Sequence, residues 1–156
     1  GGNTIKGFTP GNAKQDCQSF AAVIGAFPLT KAGSTSSTLS CEYGNQEDDF
    51  NVAFWIKLFP SEAEAETDWR SIHRVGEIEL GIMSHLWVVR EETETSYLYI
   101  QKREYETKSG DVIDYQLDAG ELIGRGKIYF QQRDMQTPDT ALWMATLAQV
   151  QQMLGK

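Results

Sequence analysis

From Phe50 to Phe59 apolar and polar positions alternate. Phe50, Val52, Phe54, Ile56 and Leu58 fall on one side, and Asn51, Ala53, Trp55 and Lys57 on the other. A period of two puts successive side chains on opposite faces of a strand, so the segment predicts a strand with one face in the core. Directly after it the period becomes helical. Ser61 followed by Glu64 has the spacing of a capping box, in which each side chain satisfies the other residue's backbone N–H. Glu62, Glu64 and Glu66 sit near the positive end of the helix dipole, and Arg70 and Arg74 nearer its negative end. Ala65, Trp69 and Ile72 form the inward stripe.

Upstream, Ala13, Cys17, Phe20, Ile24 and Phe27 recur at helical spacing and predict one helix from Asn12 to Phe27. Thr9-Pro10 or Asn12 starts it, and Pro28 closes it. Lys31 to Thr38 reads as a small polar loop, Leu39 to Tyr43 as a short strand carrying Cys41, and Gly44 to Asp49 as a turn.

Downstream, Gly76 to Ser84 alternates like an irregular strand between two glycines. Strands follow near His85–Glu91, Thr95–Tyr105, Val112–Leu117 and Leu122–Arg133. Their turns fall at Glu92-Thr93-Glu94, Lys108-Ser109-Gly110-Asp111 and Asp118-Ala119-Gly120, connections short enough to force antiparallel neighbours. A last helix begins at Thr137-Pro138-Asp139 and buries Trp143, Leu147, Val150 and Leu154. The order is α-β-β-α-β-β-β-β-α. It predicts an α+β domain over residues 12–156, an open antiparallel sheet of about six strands with helices packed on it, behind a flexible tether at residues 1–11.

Composition narrows the function classes. The chain has 156 residues, 40% hydrophobic and 23% charged, which is ordinary for a globular domain. Its net charge is −8, with 6 Lys/Arg against 10 Asp/Glu in residues 1–78 and 8 against 12 in 79–156. Neither half is a basic arm, and nucleic-acid binding depends first on neutralising phosphates. The best basic candidates, Lys102, Arg103, Arg125 and Lys127, stand among Glu104, Glu106 and Glu121, so no nucleic-acid partner is expected. No stretch approaches the roughly 20 apolar residues that span a bilayer. The start, Gly1-Gly2-Asn3, reads as a processed end or a remnant of cloning, and is compatible with a lipid anchor upstream of residue 1.

Cys17 and Cys41 are the only cysteines. With His73 and His85 they lack the close pairing of zinc sites, so the expected arrangement is a disulfide, with two buried free thiols as the alternative. A disulfide implies an oxidising compartment. The cysteine-bearing helix followed by a cysteine-bearing strand, over residues 12–75, resembles in architecture alone the small domains of bacterial cell-envelope lipoproteins.

Motifs for catalysis are missing. G-x-S-x-G does not occur. Gly124-Arg125-Gly126-Lys127-Ile128 departs from a phosphate loop, because Glu121 stands at its first glycine and Ile128 cannot ligate magnesium. His73, at a helix end, and His85, opening a strand, fit structural roles. The acidic runs Glu47-Asp48-Asp49 and Glu91-Glu92-x-Glu94 read as solvated turns. No cofactor or metal is implied.

The surplus is aromatic. Trp87, Tyr97, Tyr99, Tyr115 and Tyr129 exceed what one helical layer needs to cover, and some of them are expected to line a concave sheet face that meets a ligand or another subunit. Trp87, Tyr97, Tyr99 and Val89 are expected on one face, with Leu86, Val88, Leu98 and Ile100 opposite. The functional expectation is a non-catalytic, extracytoplasmic binding or scaffolding domain for an unknown protein or small molecule, with a homodimer compatible. The alternatives are a small secreted hydrolase, or an intracellular regulatory domain with free thiols.

Overall fold

The computed structural model describes residues 11–46, 48–81 and 87–154, the side chains of 72–81 excepted. The sheet has seven strands, all antiparallel, in the order β1-β2-β3-β7-β6-β5-β4. These are β1 Leu29–Ser34, β2 Thr38–Tyr43, β3 Val52–Leu58, β4 Trp87–Glu92, β5 Ser96–Thr107, β6 Gly110–Ile123 and β7 Gly126–Met135. The helices are α1 Ala13–Gln18, α2 Ala21–Ile24, α3 Glu62–Gly81 and α4 Ala141–Met153. The architecture is the expected α+β class, with one strand more than the pattern predicts and helices on both faces of the sheet.

One face carries the main core. Leu39, Cys41 and Tyr43 of β2, Val52, Phe54, Ile56 and Leu58 of β3, and Ile128 and Phe130 of β7 are buried there against α1, α2 and α4. The alternation read from residues 50–59 is the one observed. Trp143 of α4 tilts against Phe130 with ring centroids 5.4 Å apart, and Leu147 and Val150 continue the predicted stripe. α4 starts at Ala141, later than the expected Thr137-Pro138-Asp139, and just ahead of it Asp139 Oδ1 accepts the Ala141 N–H at 2.9 Å. Cys17 and Cys41 form a disulfide that ties α1 to β2.

α3 covers the opposite face. Its first turn shows half of the expected capping box, since Glu64 N–H donates to Ser61 Oγ at 3.2 Å while the Ser61 hydroxyl donates back to the Glu64 carboxylate at 3.3 Å. Ala65 and Trp69 are buried as predicted.

The structure corrects several boundaries. The helix expected over 12–27 is two short helices. The Ser19 hydroxyl donates to Asp16 O at 2.6 Å, and a side chain that bonds the local backbone in this way competes with continuation of the helix. Lys31 to Ser34 is not loop but part of β1, an edge strand specified by pairing with β2 rather than by its own Gly- and Ser-rich side chains. Gly76 to Gly81 continues α3 instead of forming a strand. Asp118-Ala119-Gly120 lies inside β6, and the chain turns instead at Gly124-Arg125, where Gly124 has φ 57°. A register shift between Trp87 and Val89 breaks the alternation of β4, so Val89 packs with the core and Val88 is left half exposed.

Residues 1–10, Glu47, 82–86 and 155–156 lie outside the described residues, as do the side chains of Ile72 and His73. With them go most of the tether, one member of the acidic turn, the end of the segment expected as a strand over 76–84, the face expected for Leu86, the inward placement of Ile72 and the role of His85. His73 itself stands inside α3 rather than at its end. Among the described residues no helix is long and apolar enough to cross a membrane.

Candidate functional site

The face beneath α3 is aromatic because the outward-pointing positions of five strands coincide. In register across the sheet, Trp55 pairs with Tyr129, Tyr129 with Gly120, Gly120 with Tyr97, and Tyr97 with Glu92. The rings form a continuous row. Trp55 and Tyr129 stack at 5.8 Å between centroids, Tyr129 and Tyr97 approach to 6.4 Å, Tyr97 and Tyr99 to 5.2 Å, and Tyr99 and Trp87 to 4.8 Å. Trp69 of α3 lies 6.0 Å from both Tyr97 and Tyr129. Gly120 makes this possible. A Cβ there would lie 2.6 Å from Tyr97 Cε1 and 3.1 Å from Tyr129 Cδ1, so any side chain would separate the two tyrosines.

Two polar groups flank the row. On the side of Lys57, the Lys127 ammonium is buried, ion-pairs with Asp68 of α3 and lies 3.2 Å from the Tyr129 hydroxyl. It sits over the rings of Tyr129, Trp55 and Phe59, 4.8 to 5.6 Å from their centroids. On the side of Ala53, an open depression of about 370 Å³ is walled by Trp55, Tyr97 and Tyr129, with Asp118 and Gln131 in its wall and Glu42 of β2 across from them. Asp118 accepts one hydrogen bond on each carboxylate oxygen, from Gln116 Nε2 at 3.1 Å and from Gln131 Nε2 at 3.0 Å.

Burial raises the Asp118 pKa above its ordinary 3.8, opposed by those two hydrogen bonds and by the charge of Arg133. Burial raises Glu121 above 4.5, opposed by a hydrogen bond from Gln151. The phenol of Tyr97 is raised by burial first, then by the neighbouring Tyr129, Asp118 and Tyr99. A carboxyl with a raised native pKa holds its proton more tightly folded than unfolded. Between the ordinary and the native pKa the folded state is the more protonated, and stability falls as pH rises. Asp118→Asn removes the Asp118 part of that loss. The variant is therefore expected to gain in melting temperature relative to the parent as pH rises from about 4 towards the native pKa, on the sign of this linkage. Thermal melts across that range check it, and a gap that narrows with rising pH would contradict the assignment.

Of the five aromatic residues singled out in the sequence, the structure brings Trp87, Tyr97, Tyr99 and Tyr129 into the row. Tyr97 and Tyr129 line the depression, Tyr99 is buried beside Trp87, and Trp87 lies further along the sheet. Tyr115 is on the other face, packed against the main core with Leu117 and Ala119. Sequence reasoning missed Trp55 and Asp118. The alternation had already placed Trp55 on the outward face of its strand, whereas Asp118 was hidden by the turn expected at Asp118-Ala119-Gly120. The four basic candidates do not form a patch. Lys127 is buried, Lys102 pairs with Glu104 at 3.0 Å, Arg103 with Asp114 at 2.9 Å, and Arg125 donates to Phe59 O at 3.2 Å.

No family model, curated protein or solved structure matches this chain.

Proposed function

We propose that this chain is an extracytoplasmic binding domain, and that its ligand seats in the depression between Trp55, Tyr97 and Tyr129. The observation that carries the reading is the depression itself, at the small end of the usual size of ligand pockets, with aromatic walls and, among the described residues, no lining from α3. Aromatic area is normally buried in a core or used at an interface, because it combines a large apolar surface with few rotatable bonds. Gly120 and the ring row hold the walls in place before any ligand arrives. The polar groups are held as well, with both Asp118 oxygens engaged by carboxamides, which suits recognition. The Cys17–Cys41 disulfide supports an oxidising compartment.

The test is a fragment screen by amide chemical shift, using neutral, anionic and cationic compounds and simple sugars at millimolar concentration. The expected result is that binders shift the amides of Ala53, Trp55, Asp118 and Gln131 together, and that Trp55→Ala abolishes the effect while the rest of the spectrum is kept. If no compound of any class shifts that cluster, the reading is wrong.

A further inference from the structure

The depression has a chemical bias that its shape alone does not supply. We infer that its ligand presents an alkylated ammonium group, held between the Trp55, Tyr97 and Tyr129 rings and the Asp118 carboxylate. The inference rests on the binding reading above and names the class of ligand for that same site.

Charge complementarity is the first support. The lining contains two carboxylates, Asp118 and Glu42, and no lysine or arginine. Among the described residues no lysine or arginine nitrogen lies within 4.0 Å of Asp118. Arg133 lowers its pKa through space; its guanidinium pairs with Asp49 at 3.6 Å and lies over the ring of Phe50, at the rim of the depression, at 3.9 Å. Asp118 is thus a partly buried carboxyl group that takes its hydrogen bonds from two amides and feels Arg133 only through space, and charging such a group is costly unless a closer cation neutralises it. Each of its oxygens still has acceptor capacity beyond the one carboxamide hydrogen bond it takes.

The second support is internal to the protein. On the far flank of the same two rings, Lys127 already shows what Trp55 and Tyr129 accept: an ammonium over their faces, with a carboxylate, Asp68, completing the shell. The attraction is electrostatic, between a cation and the negative ring face, and it strengthens where water is excluded. Along β3 and β7, Lys57 and Lys127 mark that flank, and Ala53 and Gln131 mark the other. Ala53 is small, so the second flank is open where the first is filled. The depression therefore repeats the ring-and-carboxylate arrangement with the cation left to be supplied from outside. A neutral sugar could stack on the same rings, but it would leave the Asp118 charge without a counterion.

Titration of the protein with choline and n-butylammonium, each against a neutral counterpart (3,3-dimethyl-1-butanol and 1-butanol), and with methyl glucoside, separates the possibilities. At least one cation is expected to bind in the depression tenfold or more tightly than its counterpart. That affinity should fall at least tenfold in Asp118→Asn and drop as salt is raised. Asp118→Asn keeps the shape of the side chain, and its melting temperature confirms that it folds. If neutral compounds or the glucoside bind at the Ala53–Gln131 cluster as well as the cations do, or if Asp118→Asn leaves cation affinity unchanged, the ammonium assignment is overturned while the binding site stands. If nothing binds there, both fall.

Discussion

Asp68→Ala is expected to destabilise the fold by about 3 kcal/mol, the lower end of the range for removing one partner of a buried ion pair. Lys127 is 1% exposed and stands between the sheet and α3. Without Asp68 its ammonium keeps only the Tyr129 hydroxyl and three aromatic faces. The estimate stays at the low end because the Asp68 side chain is 25% exposed, so water can partly replace it. Against a total stability of about 5–15 kcal/mol for a domain, this is a large fraction. Lys127→Met should cost less, since methionine keeps much of the stem in contact with the rings and leaves behind a carboxylate that can reach water. The double variant should then be more stable than Asp68→Ala alone, because it removes the buried charge together with its lost partner. Urea unfolding of the four proteins measures the coupling. Additive losses would show that the pair does not dock α3.

That pair also shows where reading from sequence stops. Lys127 looks like a surface cation in Gly124-Arg125-Gly126-Lys127-Ile128, and nothing local marks it as buried. It is buried because Gly126 lets the chain pass close to its neighbours, where a Cβ would lie 3.1 Å from Leu154 Cδ1 and 3.2 Å from Lys57 O, and because α3 lays Asp68 over Lys127. Elements whose own side chains carry the period were legible. The alternation of β3, the Ala65 and Trp69 stripe of α3 and the Trp143, Leu147 and Val150 stripe of α4 all appear as predicted. Elements specified by their neighbours were not. β1 is a strand because β2 offers it a ladder. Gly120 sits mid-strand, although aspartate and glycine favour turns locally, because two tyrosines need its missing side chain. The candidate site follows the same division. Tyr97 and Tyr129 were visible as surplus aromatics, but Tyr115 could not be told from them until the sheet faces were known. Trp55 joins the site through the register of β3 with β7, and Asp118 through the registers of β6 with β5 and β7.

Reducing the Cys17–Cys41 disulfide, or replacing both cysteines by alanine, is expected to cost about 3.5 kcal/mol, from closure of a loop of about 25 residues in the unfolded chain. For a domain of this size that corresponds to a fall in melting temperature of roughly 10 °C. The local structure explains why so little else can compensate. α1 has six residues and no side-chain cap at Asn12, and a helix this short is unstable by itself in water. It is held by the disulfide to β2, by the Tyr43 hydroxyl donating to Cys17 O at 2.5 Å, and by Phe20 packing 4.7 Å from Phe54. The loss should therefore be concentrated at residues 13–24, seen as faster amide exchange there than in β3 or β7. The depression lies on the opposite face of the sheet, so ligand-induced shifts at Ala53 and Gln131 should survive in any fraction that stays folded. Thermal melts with and without dithiothreitol, followed by amide exchange, make the measurement. An unchanged melting temperature on full reduction would show that the bridge does not stabilise this fold.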